Sequence, residues 1–178
     1  MPQSNVNVPD FATLLGQTQK SAVHLEMRDV YGVANEAAVF AAFQRGEWSE
    51  AEERVNRRTW LDLVSAATAR GVAMRRARIV SEPVTDYIRY EHAGTQMNID
   101  AGEQVRWLPR RSAVDIALPG ADFWLFDDRL VRFNIFTGDG DWADPRVEMY
   151  DDPAVAKLCS AAFATVWERG VPHHEYTV

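Results

Sequence analysis

The stretch "PGADFWLFDDRLVRFN", residues 119–134, decides how the chain folds. Phe123 and Leu125 lie before the polar pair Asp127-Asp128, and Leu130, Val131 and Phe133 lie after it. Two β-rich apolar runs around a short polar turn predict a strand, a tight turn and a second strand. Pro119-Gly120 marks the loop that feeds the first strand.

Upstream of this hairpin, helical and extended patterns alternate. Asp10 is placed to cap a short helix, FATLLGQ. "SAVHLEMRDVY" sets Val23, Leu25 and Met27 against His24, Glu26 and Arg28, the period of a half-buried strand. Asn35 is placed to cap EAAVFAAFQRG, which stops at Gly46. Ser49 and Glu52 make a capping box that opens one longer helix, AEERVNRRTWLDLVSAATAR, closed by Gly71. Trp60, Leu61, Val64 and Ala67 share one face of it. "VAMRRARIV" (72–80) follows at once, and a helix ending in Gly before a β-rich run is half of an α/β unit. Pro83 suits a first helical turn, with Val84, Tyr87 and Ile88 on the apolar face of a helix through residues 84–98. Gly102 precedes a strand, QVRWL, that Pro109 ends, and RRSAVDIAL connects it to the hairpin.

Downstream, GDGDWADPRVEMYDD reads as an acidic irregular loop with an edge strand at 147–150. Asp152 caps and Pro153 begins the last helix, and the tail VPHHEYTV follows Gly170. The order predicts an α/β fold: a single mixed β-sheet flanked by helices. One domain is expected over residues 10–178, after a disordered N-terminus at 1–9. A chain of 178 residues has room for one real core.

Charge narrows the function classes. The net charge of −7 disfavours general attraction to DNA or anionic membrane. The middle third differs, since residues 54–111 carry 11 basic and 6 acidic side chains. A basic face on an acidic protein is therefore expected. No run is long and apolar enough to span a bilayer, the N-terminus MPQSNVNVPD lacks secretory character, and the single cysteine, Cys159, has no intrachain partner. A cytoplasmic location follows as the expectation. Dimerisation is expected only on general grounds.

Several site types fail on spacing. The four histidines, His24, His92, His173 and His174, form no metal-binding pattern, and the adjacent pair in the tail reads as solvated. The loop with Asp139, Asp141 and Asp144 misses the calcium-loop positions. There is no nucleophile elbow, dinucleotide fingerprint or phosphate loop, so no cofactor or metal is expected. Cys159 reads as an inert thiol inside the last helix.

The cluster that remains is "RRARIVSEPVTDYIRYEH". On a strand, Arg76 and Arg78 face one way and Arg75 the other. A strand end and the following helix can bring Arg78, Arg89, Tyr90 and His92 together as a site for an anion or a partner's carboxylate. The competing reading is an internal ion-pair network, Arg78 with Glu82 or Arg89 with Glu91 or Asp86. Trp48 and Trp142, in polar surroundings, are interface candidates. The candidate ligand- or partner-binding set is thus Arg76, Arg78, Arg89, Tyr90, His92 and Trp142.

The segments "AVHLEMRDVYGV", "RRARIVSEPVTDYIRYEH", "NIDAGEQVRWLPRR", "LPGADFWLFDDRLVRFNIFTGDG" and "VWERGVPHHEY" together resemble an uncharacterised actinobacterial family, domain of unknown function 6879. The family carries no established activity. Its members' genes tend to stand beside helix-turn-helix regulators, in streptomycetes among others, which implies a regulatory role. The helix–Gly–Val–strand unit around Gly71 and the hairpin are also similar to the phospholipase D superfamily, implying a phospholipase D-like half-repeat scaffold. That superfamily's motif is His-x-Lys, four residues, then Asp. With Asp127 on the motif's Asp, Gly120 stands where the nucleophilic His belongs and Asp122 where the Lys belongs. Gly cannot attack phosphorus, and Asp repels phosphate. The resemblance therefore implies a scaffold stripped of its catalytic pair.

The expected function is a non-enzymatic regulatory or protein-interaction module acting with a helix-turn-helix regulator. The alternative is a sensor of a phosphate-bearing small molecule, or a weak phosphoester-acting enzyme, using the Arg/His/Tyr cluster with His92 as acid or base. Direct nucleic-acid binding is the least supported reading.

Overall fold

The hairpin forms as expected, and its position in the sheet organises the rest. In the computed structural model, which describes residues 8–32, 34 and 36–178, β4 (Asp122–Phe126) and β5 (Leu130–Phe136) pair antiparallel. Both turn residues, Asp127 and Asp128, have φ of 52°, the left-handed region that tight hairpin turns need. Asp127 also clamps the start of β1 (Ser21–Glu26): its carboxylate accepts from the backbone N–H of Gln19, Lys20 and Ser21 at 2.7–3.0 Å.

Seven strands make one mixed sheet in the order β6-β5-β4-β1-β2-β3-β7. β2 (Ala73–Val80) lies parallel to β1 and to β3 (Gln104–Pro109). The hairpin extends this parallel core antiparallel on one side, out to β6 (Trp142–Tyr150). On the other side β7 (Val171–Pro172) pairs antiparallel with β3. The α/β expectation holds, with helices on both faces of one sheet.

One face is dry. Val23, Leu25, Ala77, Ile79, Leu108, Phe123, Leu125 and Val131 pack beneath α6 (Pro153–Arg169), which contributes Ala156, Cys159, Phe163 and Val166. Asp152 caps α6 through the N–H groups of Ala154 and Val155. Burial pushes the Cys159 thiol up to about 12, which keeps it unreactive. The other face carries α1 (Phe11–Gln17) and α4 (Arg58–Ala69) over Ala22, Met74, Trp124 and Phe126. It also carries α2 (Ala37–Gln44), α3 (Glu50–Asn56) and α5 (Asp86–Asp100). Asp10 caps α1 through Thr13 N–H.

Five details differ from expectation. β1 is buried on both faces, because it lies at the centre of the sheet with helices above and below. The long helix of residues 51–70 is two helices broken at Arg57. Neither Pro nor Gly marks the break. It aims Glu53 at the Tyr90 hydroxyl, 3.1 Å away, and lays Arg57 close against Gly94, where a Cβ on α5 would stand 3.2 Å from its Nη1. The cap of α5 is Thr85, which accepts from Ile88 N–H, so Pro83 precedes the helix. β6 starts at Trp142, five residues before the expected edge strand, because Trp142 pairs with and stacks on Phe136 across a bulge. Finally, the tail is docked. His173 is half-buried, its Nδ1 accepting from Trp107 Nε1 at 3.2 Å. The proposed cap Asn35 and the N-terminal segment 1–7 lie outside the described residues.

Candidate functional site: a charged cleft on one face of the sheet

Paired strands put matching residues side by side, and here the pairing lines up charge. Across β5, β4, β1, β2 and β3, one rung of the helix-covered face reads Arg132, Trp124, His24, Arg76, Val105. The next rung along holds Asn134 beside Asp122, and Glu26 beside Arg78 and Trp107. The rung before is apolar, with Phe126, Ala22 and Met74. The two polar rungs floor a cleft of about 480 Å³. Its walls come from α1, α2, α4 and α5, the segment carrying Tyr31, and the β5–β6 hairpin.

Buried charge on this floor is mostly matched. Arg76 donates from Nε to Glu103 at 2.9 Å and from Nη1 to Glu26 at 2.8 Å. Arg78 Nε sits 2.9 Å from Glu26, and its Nη2 donates to Glu91. Burial alone would lower the pKa of both guanidiniums, but the neighbouring carboxylates outweigh it and raise them. Glu103, 1% exposed, also accepts from Asn98 Nδ2 at 2.6 Å. Asp122 accepts from Met27 N–H and from the Tyr31 hydroxyl. Burial, with the Glu26 charge adding to it, pushes the Asp122 carboxyl up to about 6 against those hydrogen bonds.

Two groups stay unmatched. Arg132 faces no carboxylate within ion-pair distance among the described residues. Its Nη1 donates to Asn134 Oδ1, its guanidinium lies 4.6 Å over the Phe11 ring, and its Nε is buried without a partner. Desolvation pulls its pKa down to about 10. His24, 6% exposed, stacks on Trp124 at 4.2 Å and has no hydrogen bond at either ring nitrogen. Its Nδ1 lies 3.4 Å from Glu26 without hydrogen-bond alignment. Burial, then the charges of Arg76, Arg78 and Arg132, hold its pKa well below 6.5, so the ring is neutral at pH 7.

Of the sequence-derived set, Arg76, Arg78 and Trp142 line this cleft, and Arg89, Tyr90 and His92 do not. Arg89 is exposed on the outer face of α5. Tyr90 is buried against Glu53, below α3. His92 turns toward β3 and the tail, with its Nε2 3.1 Å from the Tyr176 carbonyl and its ring 4.3 Å from His173. The expected meeting of Arg78 with Arg89, Tyr90 and His92 therefore does not form. Successive helical residues point in different directions, and only Tyr87 and Glu91 of α5 reach the cleft. The internal network is real but uses other partners: Arg78 pairs with Glu26 and Glu91, while Glu82 accepts from the Tyr176 hydroxyl. Four arginines of the middle third are drawn apart and away from any common basic face. Arg76 and Arg78 are inside, Arg75 lies against Phe163 and Trp167 beneath α6, and Arg110 donates to Ser81 and the Met27 carbonyl. Trp48 packs against Phe43, away from the cleft.

The sequence reading passed over His24, Glu26, Arg132 and Asn134. The available signal was alternation: three strands each carry two polar residues two positions apart, His24/Glu26, Arg76/Arg78 and Arg132/Asn134. Gly120 is exposed in the loop before β4 and Asp122 sits inside the cleft, so only one of the two substituted phospholipase D positions faces it.

Among the described residues, no helix is long and apolar enough to cross a membrane. No curated protein matches this chain. Among solved structures, a phospholipase D family member, Nuc from Salmonella typhimurium, superposes with a TM-score of 0.52 at 12% identity, covering 91% of this chain and 87% of that one. The fold is thus phospholipase D-like. TrmBL2, an archaeal chromatin protein, gives a TM-score of 0.46 at 14% identity, over 89% of this chain and 47% of that one. A family profile matches residues 9–178, nearly the whole chain, and the protein belongs to that family, the Domain of unknown function (DUF6879).

Proposed function

We propose that this protein is a non-enzymatic regulatory module whose cleft binds an anionic small molecule, such as a phosphomonoester. The observation that carries the reading is Arg132: a guanidinium lining a cleft, with no carboxylate to neutralise it and a buried Nε left open. Desolvating a cation without a counterion is costly, and a bound anion removes the cost. His24, across Trp124 on the same rung, adds one N–H donor to the floor. Absence of turnover is inferred from Gly120 and Asp122, which hold the places of the nucleophilic His and the phosphate-holding Lys of phospholipase D enzymes. A ligand that is bound and not consumed suits a sensor. The gene neighbourhood of the family suggests a helix-turn-helix regulator as the partner that receives the signal.

Isothermal titration with inorganic phosphate and simple phosphomonoesters tests the binding half. Saturable binding at one site, lost in Arg132→Ala with the fold intact by circular dichroism, is the expected result. Binding that persists in Arg132→Ala would place the ligand elsewhere. For the catalytic half, incubation with an activated phosphodiester should release no product above buffer. Turnover that disappears in Asp122→Asn would show that the cleft is an active site.

A further inference from the structure

We infer that the cleft takes a planar aromatic anion, a flat ring bearing one acidic group, rather than a bare anion or a sugar phosphate. This rests on the reading of the cleft as an anion site and adds the shape of the ligand's body. Among the described residues, none that lines the cleft has an aliphatic side chain. The apolar residues among them are all aromatic: Phe11, Tyr31, Trp60, Tyr87, Phe136 and Trp142.

These rings form two groups. In one, Phe11 stands edge-on to Trp60 at 5.4 Å and to Trp124 at 5.3 Å, close to the unpaired Arg132. In the other, Trp142 stacks on Phe136 at 4.3 Å, and Tyr31 bridges Phe136 to Tyr87 at 5.2 and 5.9 Å. Ring faces and ring edges favour a flat π-system over a puckered aliphatic body of equal size, and an arginine can stack on the same ring. The acidic group of the ligand then goes to Arg132, while His24, across Trp124 on the same rung, offers a further N–H on the same floor from a ring that is unpartnered and more than nine-tenths buried.

The remaining carboxylates limit where in the cleft an acidic group can sit. Glu26 and Glu91 are engaged by Arg76 and Arg78. Glu36 and Asp122, which also face the cleft, accept from the Tyr87 and Tyr31 hydroxyls and would repel a second anionic group. Arg57 and Arg146 line the cleft as well and add positive charge.

Matched probes separate shape from charge. Phenyl phosphate and cyclohexyl phosphate carry the same charge and nearly the same bulk, and inorganic phosphate has no body. Benzoate and cyclohexanecarboxylate repeat the comparison for a carboxylate. Titration of the full chain, followed by tryptophan fluorescence and calorimetry, should give phenyl phosphate at least about tenfold tighter than the cyclohexyl ester or inorganic phosphate. Trp142 is half-exposed on an edge strand, so Trp142→Ala should fold; it should lose about tenfold for phenyl phosphate and stay within about twofold for inorganic phosphate. Trp142→Phe should recover most of the loss. Phenyl and cyclohexyl esters binding within about twofold of each other would overturn the ring preference and leave the anion site standing. Failure of all five probes to bind would overturn both.

Discussion

On β2, Arg75 and Arg76 are adjacent in sequence and meet opposite surroundings. Arg75 points to the α6 face and rests on the rings of Phe163 and Trp167. Arg76 points to the cleft face, is 6% exposed, and is bound by two carboxylates. The two faces of the sheet repeat that contrast on a larger scale. Beneath α6, apolar side chains close over a dry core. On the other face, two rungs of charge are buried almost as deeply, and helices leave a cleft above them. Burying ions costs several kcal/mol each unless every one is paired, and well-packed apolar residues would do as well or better for stability. A fold that needed only stability could have kept both faces dry. The charged face is therefore where selection for something other than stability is expected, and Arg132 and His24 are the members that the proposed ligand would engage.

The largest expected effect breaks the charged face directly. Glu103→Ala leaves Arg76 with Glu26 alone, strands Asn98 and should cost about 3–5 kcal/mol in urea unfolding. A cost under about 1 kcal/mol would mean that water enters and solvates Arg76, and the face is not the sealed network described. On the dry face, Leu125→Ala should cost about 3 kcal/mol by leaving a cavity. The two changes combined should be additive to within about 0.5 kcal/mol if the faces are energetically separate.

Asp122 distinguishes the faces by pH. Its folded carboxyl titrates at about 6, above the ordinary 3.8, so between those values the native state holds more protons than the unfolded chain. Stability should fall as pH rises through that window, by about 3 kcal/mol in all, and level off above it. Asp122→Asn, whose amide oxygen can still accept from Met27 N–H while its NH2 donates to the Tyr31 oxygen, should flatten the profile. An unchanged slope in that variant would assign the titration to another group.

A smaller effect is expected at the hairpin turn. Burial disfavours the Asp127 carboxylate, but three backbone N–H donors outweigh it and hold the group below its ordinary range. Asp127→Ala should cost about 2 kcal/mol, with hydrogen exchange quickening at residues 19–21. The smallest change should come from Arg89→Ala, which touches neither face and should shift stability by less than about 0.5 kcal/mol.

Short-range chemistry was legible in the sequence. Asp10, Ser49 and Asp152 cap the helices that they precede. The Asp127-Asp128 turn closes its hairpin, and Gly71 carries the positive φ that ends a helix before β2. In each case the group that decides lies within a few residues of the one it acts on. Arg76 and Arg78 were also picked out correctly as one face of a strand, because that requires only period two.

What the sequence could not supply was which strands would stand next to each other. The match of His24 with Trp124 and Arg76, and of Glu26 with Arg78, exists only through the order β4-β1-β2. That order joins segments about a hundred residues apart. The break at Arg57 likewise depends on Tyr90 and Gly94, which are distant in sequence. The amino-acid sequence by itself determined the elements, their caps and the alternation of charge along each strand, because those are local interactions. Only the tertiary structure decided which charges neutralise one another and which are left over, because pairing and desolvation depend on neighbours that the chain brings together by folding.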